Sequence, residues 1–235
     1  MVPPVPTHTL LDDTFTGPPN PWFSWTWVRQ HTDELVQAGV QHISITLLSV
    51  LLATLVAFPL ALVARRFRRL EAPILAFAGV VYTIPALALI GALVPLTGLT
   101  PTTVIIALAI YALLVVLRNV VVGLDGVPAD VVDAARGMGF SRTRLLWRVE
   151  LPLALPAVLA GIRIATVSTI GLLTIGGFVS YGGFGNLIYE GFQRSVGRAE
   201  VVTAGLACVL LALVADLLLV GLQRLLTPWA RRRTA

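Results

Sequence analysis

Few side chains in this sequence could do chemistry in an apolar setting. Arg163 and Asp216 are ionisable residues that fall inside long apolar runs. Each lies about 10 to 16 Å from the same end of its run at 1.5 Å per residue, so a mutual ion pair is geometrically allowed. Charge at that depth reads either as a structural pair or as a substrate or proton site. Cys208 is the one cysteine, within an apolar run, and reads as a small buried hydrophobe. The three histidines, His8, His31 and His42, all precede the first run, so no Cys/His metal set and no histidine-activated nucleophile can be assembled inside it. All 17 basic residues are arginine. Without a lysine the chain has nothing to offer the terminal phosphates of a P-loop, so it cannot be a P-loop ATPase by itself.

The elements that carry these groups are set by solvent. Of 235 residues 57% are apolar and 12% charged, about half the charged fraction of a soluble domain. Five runs approach or exceed the ~20 apolar residues that cross a bilayer: Ile43 to Ala64, Pro73 to Leu96, Thr102 to Leu124, Leu153 to Gly176 and Val201 to Leu222. Each must be helical, because an isolated strand in lipid leaves its backbone unpaired. The second holds Pro85 and Pro95, which predicts a kink. The fourth has small residues at helical spacing, Gly161, Ala165 and Ser168 or Thr169, which let another helix approach closely. Thirteen of the 17 arginines flank the spans on one side, against Arg29, Arg194 and Arg198 on the other. The positive-inside rule puts the thirteen in the cytoplasm, with the amino terminus outside and the carboxyl terminus inside. The net charge of +5 thus belongs to membrane topology, not to nucleic acid.

Residues 1–42 are expected to form a proline-rich tail followed by a Trp-rich helix in the membrane interface, over Trp22 to Gly39. Residues 43–222 form the transmembrane domain and 223–235 a basic cytoplasmic tail. Between the third and fourth spans, residues 125–152 are more than a linker. Pro128 suits a first helical turn, Val131, Ala135 and Met138 share a helical face, and Gly139 falls where a left-handed cap would end that helix. Ser141 can cap a second short helix with Leu145, Leu146 and Val149 on one side, which Pro152 is expected to stop. Helices this short need a surface to lie against. That surface is either the chain's own bundle and lipid headgroups or a soluble partner.

The segment resembles the signature of ABC importer permeases: a Glu-Ala-Ala triplet, a glycine four residues on, and an aliphatic residue two positions before Leu-Pro. Here these positions are Asp133, Ala134, Ala135, Gly139, Val149, Leu151 and Pro152, with Asp for Glu and Val for Ile. YALLVVLRN, LPLALPAVLAGIR and YGGFGNLI extend the likeness to the permeases of osmoprotectant importers, over roughly Ile43 to Gly191. The resemblance implies an all-α polytopic fold with five transmembrane helices and a type I ABC importer permease core in a bacterial cytoplasmic membrane. It also implies that 125–152 is a coupling loop docking on a separate ATPase dimer, which would hold the ATP and magnesium; no cofactor is expected on this chain. In that reading Gly139 is the turn, Asp133 and Arg136 a polar anchor beside Ala134 and Ala135, and Met138, Phe140 and Leu145 apolar contacts.

The same resemblance implies a second permease, identical or sister, an extracytoplasmic solute-binding protein, and a solute such as glycine betaine, choline, carnitine or proline. Candidate lining residues are the polar or aromatic ones at membrane depth: Tyr82 and Thr83 beside Pro85, Tyr111, Thr166, Thr169, Tyr181 and Asn186. Tyrosines can pass a quaternary ammonium by cation-π contact or serve as packing aromatics. Related importers typically show Gln at Tyr82 and Asp at Asn186, which leaves the solute open. The glycine-rich run 176–192 reads either as a re-entrant gate or as an external loop with a short surface helix. Two other classes compete. An ion-coupled secondary transporter would need more intramembrane carboxylates than Asp216 and an inverted repeat. An intramembrane enzyme would need a catalytic constellation that the spans lack.

Overall fold

A computed structural model describes residues 21–194 and 197–229. The proline-rich start of the tail and Arg231 to Arg233 lie outside the described residues. Among the described residues every regular element is helical. A short α1 (Trp25–Gln30) leads into α2 (Thr32–Arg66). The expected interfacial helix is therefore split: its first part is α1, and Thr32 to Gly39 already belong to the first span. Apolar residues continue without a break behind that polar start, so nothing ends the helix.

The second apolar run is two helices, α3 (Arg68–Tyr82) and α4 (Ala86–Thr97), bent by 95°. This is a break where a kink was expected. The Thr83 hydroxyl turns back to the Val80 carbonyl, and Pro85 has no N–H with which to continue α3. The carbonyl of Ile84, left in the break, accepts a hydrogen bond from the Tyr111 hydroxyl of α5 (Pro101–Asp125). A neighbouring helix thus satisfies the freed backbone, as lipid requires.

After α6 (Ala129–Gly137) and a turn, one helix runs for 38 residues from Arg142 to Val179. It comprises α7 (Arg142–Leu145), a π-turn at Leu146–Glu150, α8 (Leu151–Leu173) and a final tight turn. Pro152 does not stop it. Proline follows directly on the π-turn, whose wider backbone relieves the ring's clash with the carbonyl four residues back and interrupts the hydrogen-bond ladder where the N–H is missing. A short α9 (Phe184–Gln193) and the long α10 (Arg198–Leu226) complete the chain.

Counting the bent pair once, five segments are long and apolar enough to cross a membrane. Their core is built of small residues: Ala53, Ala57 and Ala61 of α2 meet Ala109, Ala112 and Val116 of α5 and Ala154 and Ala165 of α8. Gly161 and Ala165 of the stripe foreseen on α8 form a packing seam, where a Cβ on Gly161 would lie 2.3 Å from the Cβ of Asn119, while Ser168 is exposed. Leucines of α2 and α10 such as Leu51, Leu55, Leu213 and Leu217 face outward, as lipid allows.

Candidate functional site

The elbow between α5 and α8 is assembled from local signals. The carbonyl of Pro128 accepts the first N–H groups of α6, from Val131 and Val132. At its far end the Phe140 N–H reaches the Ala135 carbonyl at 3.2 Å and the Gly139 N–H reaches Arg136 at 2.9 Å, with Gly139 at φ +80°. These are the two bonds of a Schellman cap, which needs a left-handed residue at that position. The Ser141 side chain then accepts from the Arg144 N–H and starts the second arm.

The two arms close on each other. Val132, Ala135 and Leu145 are buried together, flanked by Val127, Phe140 and Val149. This corrects two expectations. The inward face of α6 runs through Val132 and Ala135, with Val131 and Met138 outside, Met138 at 70% exposure. Leu145, 4% exposed, and Ala135, 2% exposed, are the elbow's own core and cannot touch a partner. The outer surface is left to Asp133, Ala134, Arg136 and Met138. Arg136 donates to Asp133 at 3.3 Å across one helical turn. Phe140 is half-buried under the Arg144 guanidinium, 5.4 Å from its ring.

A charged latch fixes the base of the elbow. Arg65 of α2 donates two hydrogen bonds, at 2.7 and 2.9 Å, to Glu150, which is 7% exposed. Arg65 also lies 3.6 Å from Asp125, while Arg68 of α3 donates to both Asp125 and Glu71. Four element ends meet there. The arginines were visible in the sequence as a topology signal, but their carboxylate partners are up to 85 residues away and were not foreseen.

The expected pathway residues separate into groups. Tyr82, Tyr111 and Thr169 line one crevice with Ser168, Ala165 and Leu172. The two tyrosine rings meet edge to face, 5.6 Å apart. Pro85 and Thr83 form the adjacent break. Thr166 is turned back to the Ile162 carbonyl at 2.8 Å and does not line the crevice. Tyr181 and Asn186 do not join it either. Tyr181 packs against Ile45, Val104 and Leu173. Asn186 braces the turn before α9, accepting from the Gly182 N–H at 2.8 Å and donating to Gln41 and to the Ser180 carbonyl.

That glycine-rich segment is a tight turn followed by the short helix α9, whose Phe184 and Leu187 are buried against neighbouring helices. Backbones there are in contact: a Cβ on Gly182 would sit 2.2 Å from the Gly177 nitrogen. His42, considered in the sequence only for metal and catalysis, organises the turn. Its Nδ1 accepts from the Phe184 N–H at 3.3 Å, so its Nε2 carries the proton given to the Ile170 carbonyl at 3.0 Å. Between α8 and α10, Arg163 and Asp216 form a two-pronged pair, Nε to Oδ1 and NH2 to Oδ2. Cys208 is buried against the Ile170 carbonyl.

Residues 46–232 match the family model described as "Binding-protein-dependent transport system inner membrane component". The glycine betaine/carnitine/choline transport system permease protein OpuCD of Bacillus subtilis (strain 168) is 35% identical over 208 residues, 88% of this chain and 91% of that one. The osmoprotectant import permease protein OsmW of Salmonella typhimurium (strain LT2) is 37% identical over 199 residues, 83% of this chain and 92% of that one. Among solved structures, a chain of the inward-facing MetNI methionine ABC transporter aligns with a TM-score of 0.76 at 21% identity, over 87% of this chain and 100% of that chain. An amino acid ABC transporter determined with histidines gives a TM-score of 0.71 at 15% identity, over 86% of this chain and 98% of that chain. With most of its length matched in sequence and its helices arranged as in type I importers, the chain belongs to the family of binding-protein-dependent transport system inner membrane components.

Proposed function

We propose that this chain is the permease subunit of an ABC importer for a compatible solute, in the class of glycine betaine, choline, carnitine or proline. A separate ATPase dimer, which binds ATP and magnesium, drives it; a second permease, identical or sister, completes the pathway; an extracytoplasmic binding protein delivers the solute. One observation carries the reading. The elbow holds a polar outer edge, Asp133 and Arg136 beside the exposed Met138, on α6, whose Val132 and Ala135 press against Leu145 of the arm that continues as one helix into the fourth span. A push on that edge is a push on the bundle, the kind of rigid-element movement through which a motor can switch a pathway. At the mouth of the narrow Tyr82–Tyr111 crevice the exposed Tyr82 ring and the Ser168 hydroxyl present an aromatic face and a neutral polar group, which suit a quaternary ammonium or zwitterion passing over them.

The test is reconstitution in liposomes with the cognate ATPase and binding protein, reading uptake of labelled glycine betaine and choline. Uptake should require ATP inside and every component. Uptake by the chain alone, driven by an ion gradient, would establish the secondary-transporter reading instead.

A further inference from the structure

An apolar cleft of about 520 Å³ opens between α2, α3 and α5, lined by Leu60, Pro73, Ile74, Phe77, Val81 and Leu117 among others. It lies away from the tyrosine crevice, on a different side of α5: Ile110, Leu113 and Leu117 face the cleft, Tyr111, Ala112 and Val115 the crevice. Its cytoplasmic end adjoins the α2–α3 corner, where four arginines stand within five residues. The structure sorts them. Arg65 and Arg68 are neutralised by Glu150, Asp125 and Glu71. Arg66 and Arg69 are exposed and have no carboxylate partner among the described residues; Arg66 lies only against the Phe67 ring. Arg69 stands one helical turn before Pro73 and two before Phe77, on the cleft side of α3.

We propose that this cleft binds the acyl chain of an anionic phospholipid of the cytoplasmic leaflet, its headgroup held by Arg69 and Arg66. The cleft is apolar along about 12 Å of α3, from Pro73 to Val81, and ends in unpaired positive charge at headgroup level, the complement of an anionic lipid. An open apolar groove of this size takes a flexible hydrocarbon chain, and the unpaired arginines at its end favour one that carries an anionic headgroup.

Native mass spectrometry of the full chain released from nanodiscs with equal phosphatidylglycerol and phosphatidylcholine tests this. The unaltered protein should retain phosphatidylglycerol over phosphatidylcholine by about tenfold, as two juxtamembrane arginines allow. Arg66→Gln with Arg69→Gln should erase the preference and leave the total retained unchanged. Ala78→Trp, which fills the cleft, should lower retention of both lipids. Equal retention by the unaltered protein, or a preference that survives loss of both arginines, would overturn the proposal. So would efficient disulfide formation between two copies carrying Ala78→Cys and Cys208→Ala, which would show a second copy in the cleft.

Discussion

Gly139 is the residue on which the elbow turns. Its φ of +80° lies in the left-handed region and its N–H is bonded to the Arg136 carbonyl. Proline there would force φ near −65° and delete the donor, so Gly139→Pro should abolish ATP-driven uptake while the chain still inserts in the membrane. Normal uptake in proteoliposomes would remove the elbow from the mechanism. Asp133 is exposed and its pair with Arg136 is at the surface, so Asp133→Arg should shift stability by less than about 0.5 kcal/mol. Co-purification with the ATPase should nevertheless fall sharply; an intact complex would argue against docking at this edge. Tyr82 is 41% exposed and touches Tyr111. An exposed cation-π contact amounts to about 0.5–1 kcal/mol, so Tyr82→Ala should weaken choline uptake by roughly two- to fivefold and leave proline uptake nearly unchanged. Equal losses for the two solutes would mean that the ring only packs.

What could be read at this scale was local. The cap at Gly139 and the Asp133–Arg136 pair depend on spacings of three or four residues, which a sequence displays. The burial of Leu145 depends on α6 folding back onto the second arm, and that of His42 on partners 128 and 142 residues away. No periodicity on one helix reports such pairings, so Leu145 was expected at the docking surface and His42 was not expected in the core.

Among the elements, the apolar runs located the spans well because lipid demands both length and helicity. Their ends were less legible. Pro152 looked like a stop and lies inside the continuous helix, since the wider π-turn at Leu146–Glu150 accommodates its ring and its missing N–H. Pro85 looked like a kink and marks a 95° break, because the Tyr111 hydroxyl is there to hold the exposed carbonyl. The latch joining α2, α3, α5 and α8 gives a prediction for these element ends. Glu150→Ala would leave Arg65 half-buried with only the longer contact to Asp125. Breaking a buried pair costs about 3–5 kcal/mol, and the remaining neighbour should hold the loss nearer to about 2 kcal/mol, read as thermal unfolding in detergent. An unchanged midpoint would show that the latch contributes nothing.

For the whole molecule, the arginine clusters after α2 and around the elbow belong to one end of the bundle. The carboxyl end of α2, the start of α3, the carboxyl end of α5 and the start of α8 meet at one face through Arg65, Arg68, Asp125 and Glu150. The pair Arg163–Asp216 joins α8 to α10 within the bundle. If it serves packing, Asp216→Ala should lower stability more than the exchange Arg163→Asp with Asp216→Arg, which restores opposite charges. Equal losses in the two proteins would leave the pair without a structural role.

The unbroken helix from Arg142 to Val179 has a mechanical meaning. Its 38 residues make a rod about 57 Å long. Ten degrees of tilt about its midpoint swings each tip by roughly 5 Å, comparable to a helix pitch. Its inner tip carries the arm pressed against α6 and its outer tip the glycine-packed turn. A push on one end of such a lever is felt in the opposite sense at the other, with no separate linkage needed between them.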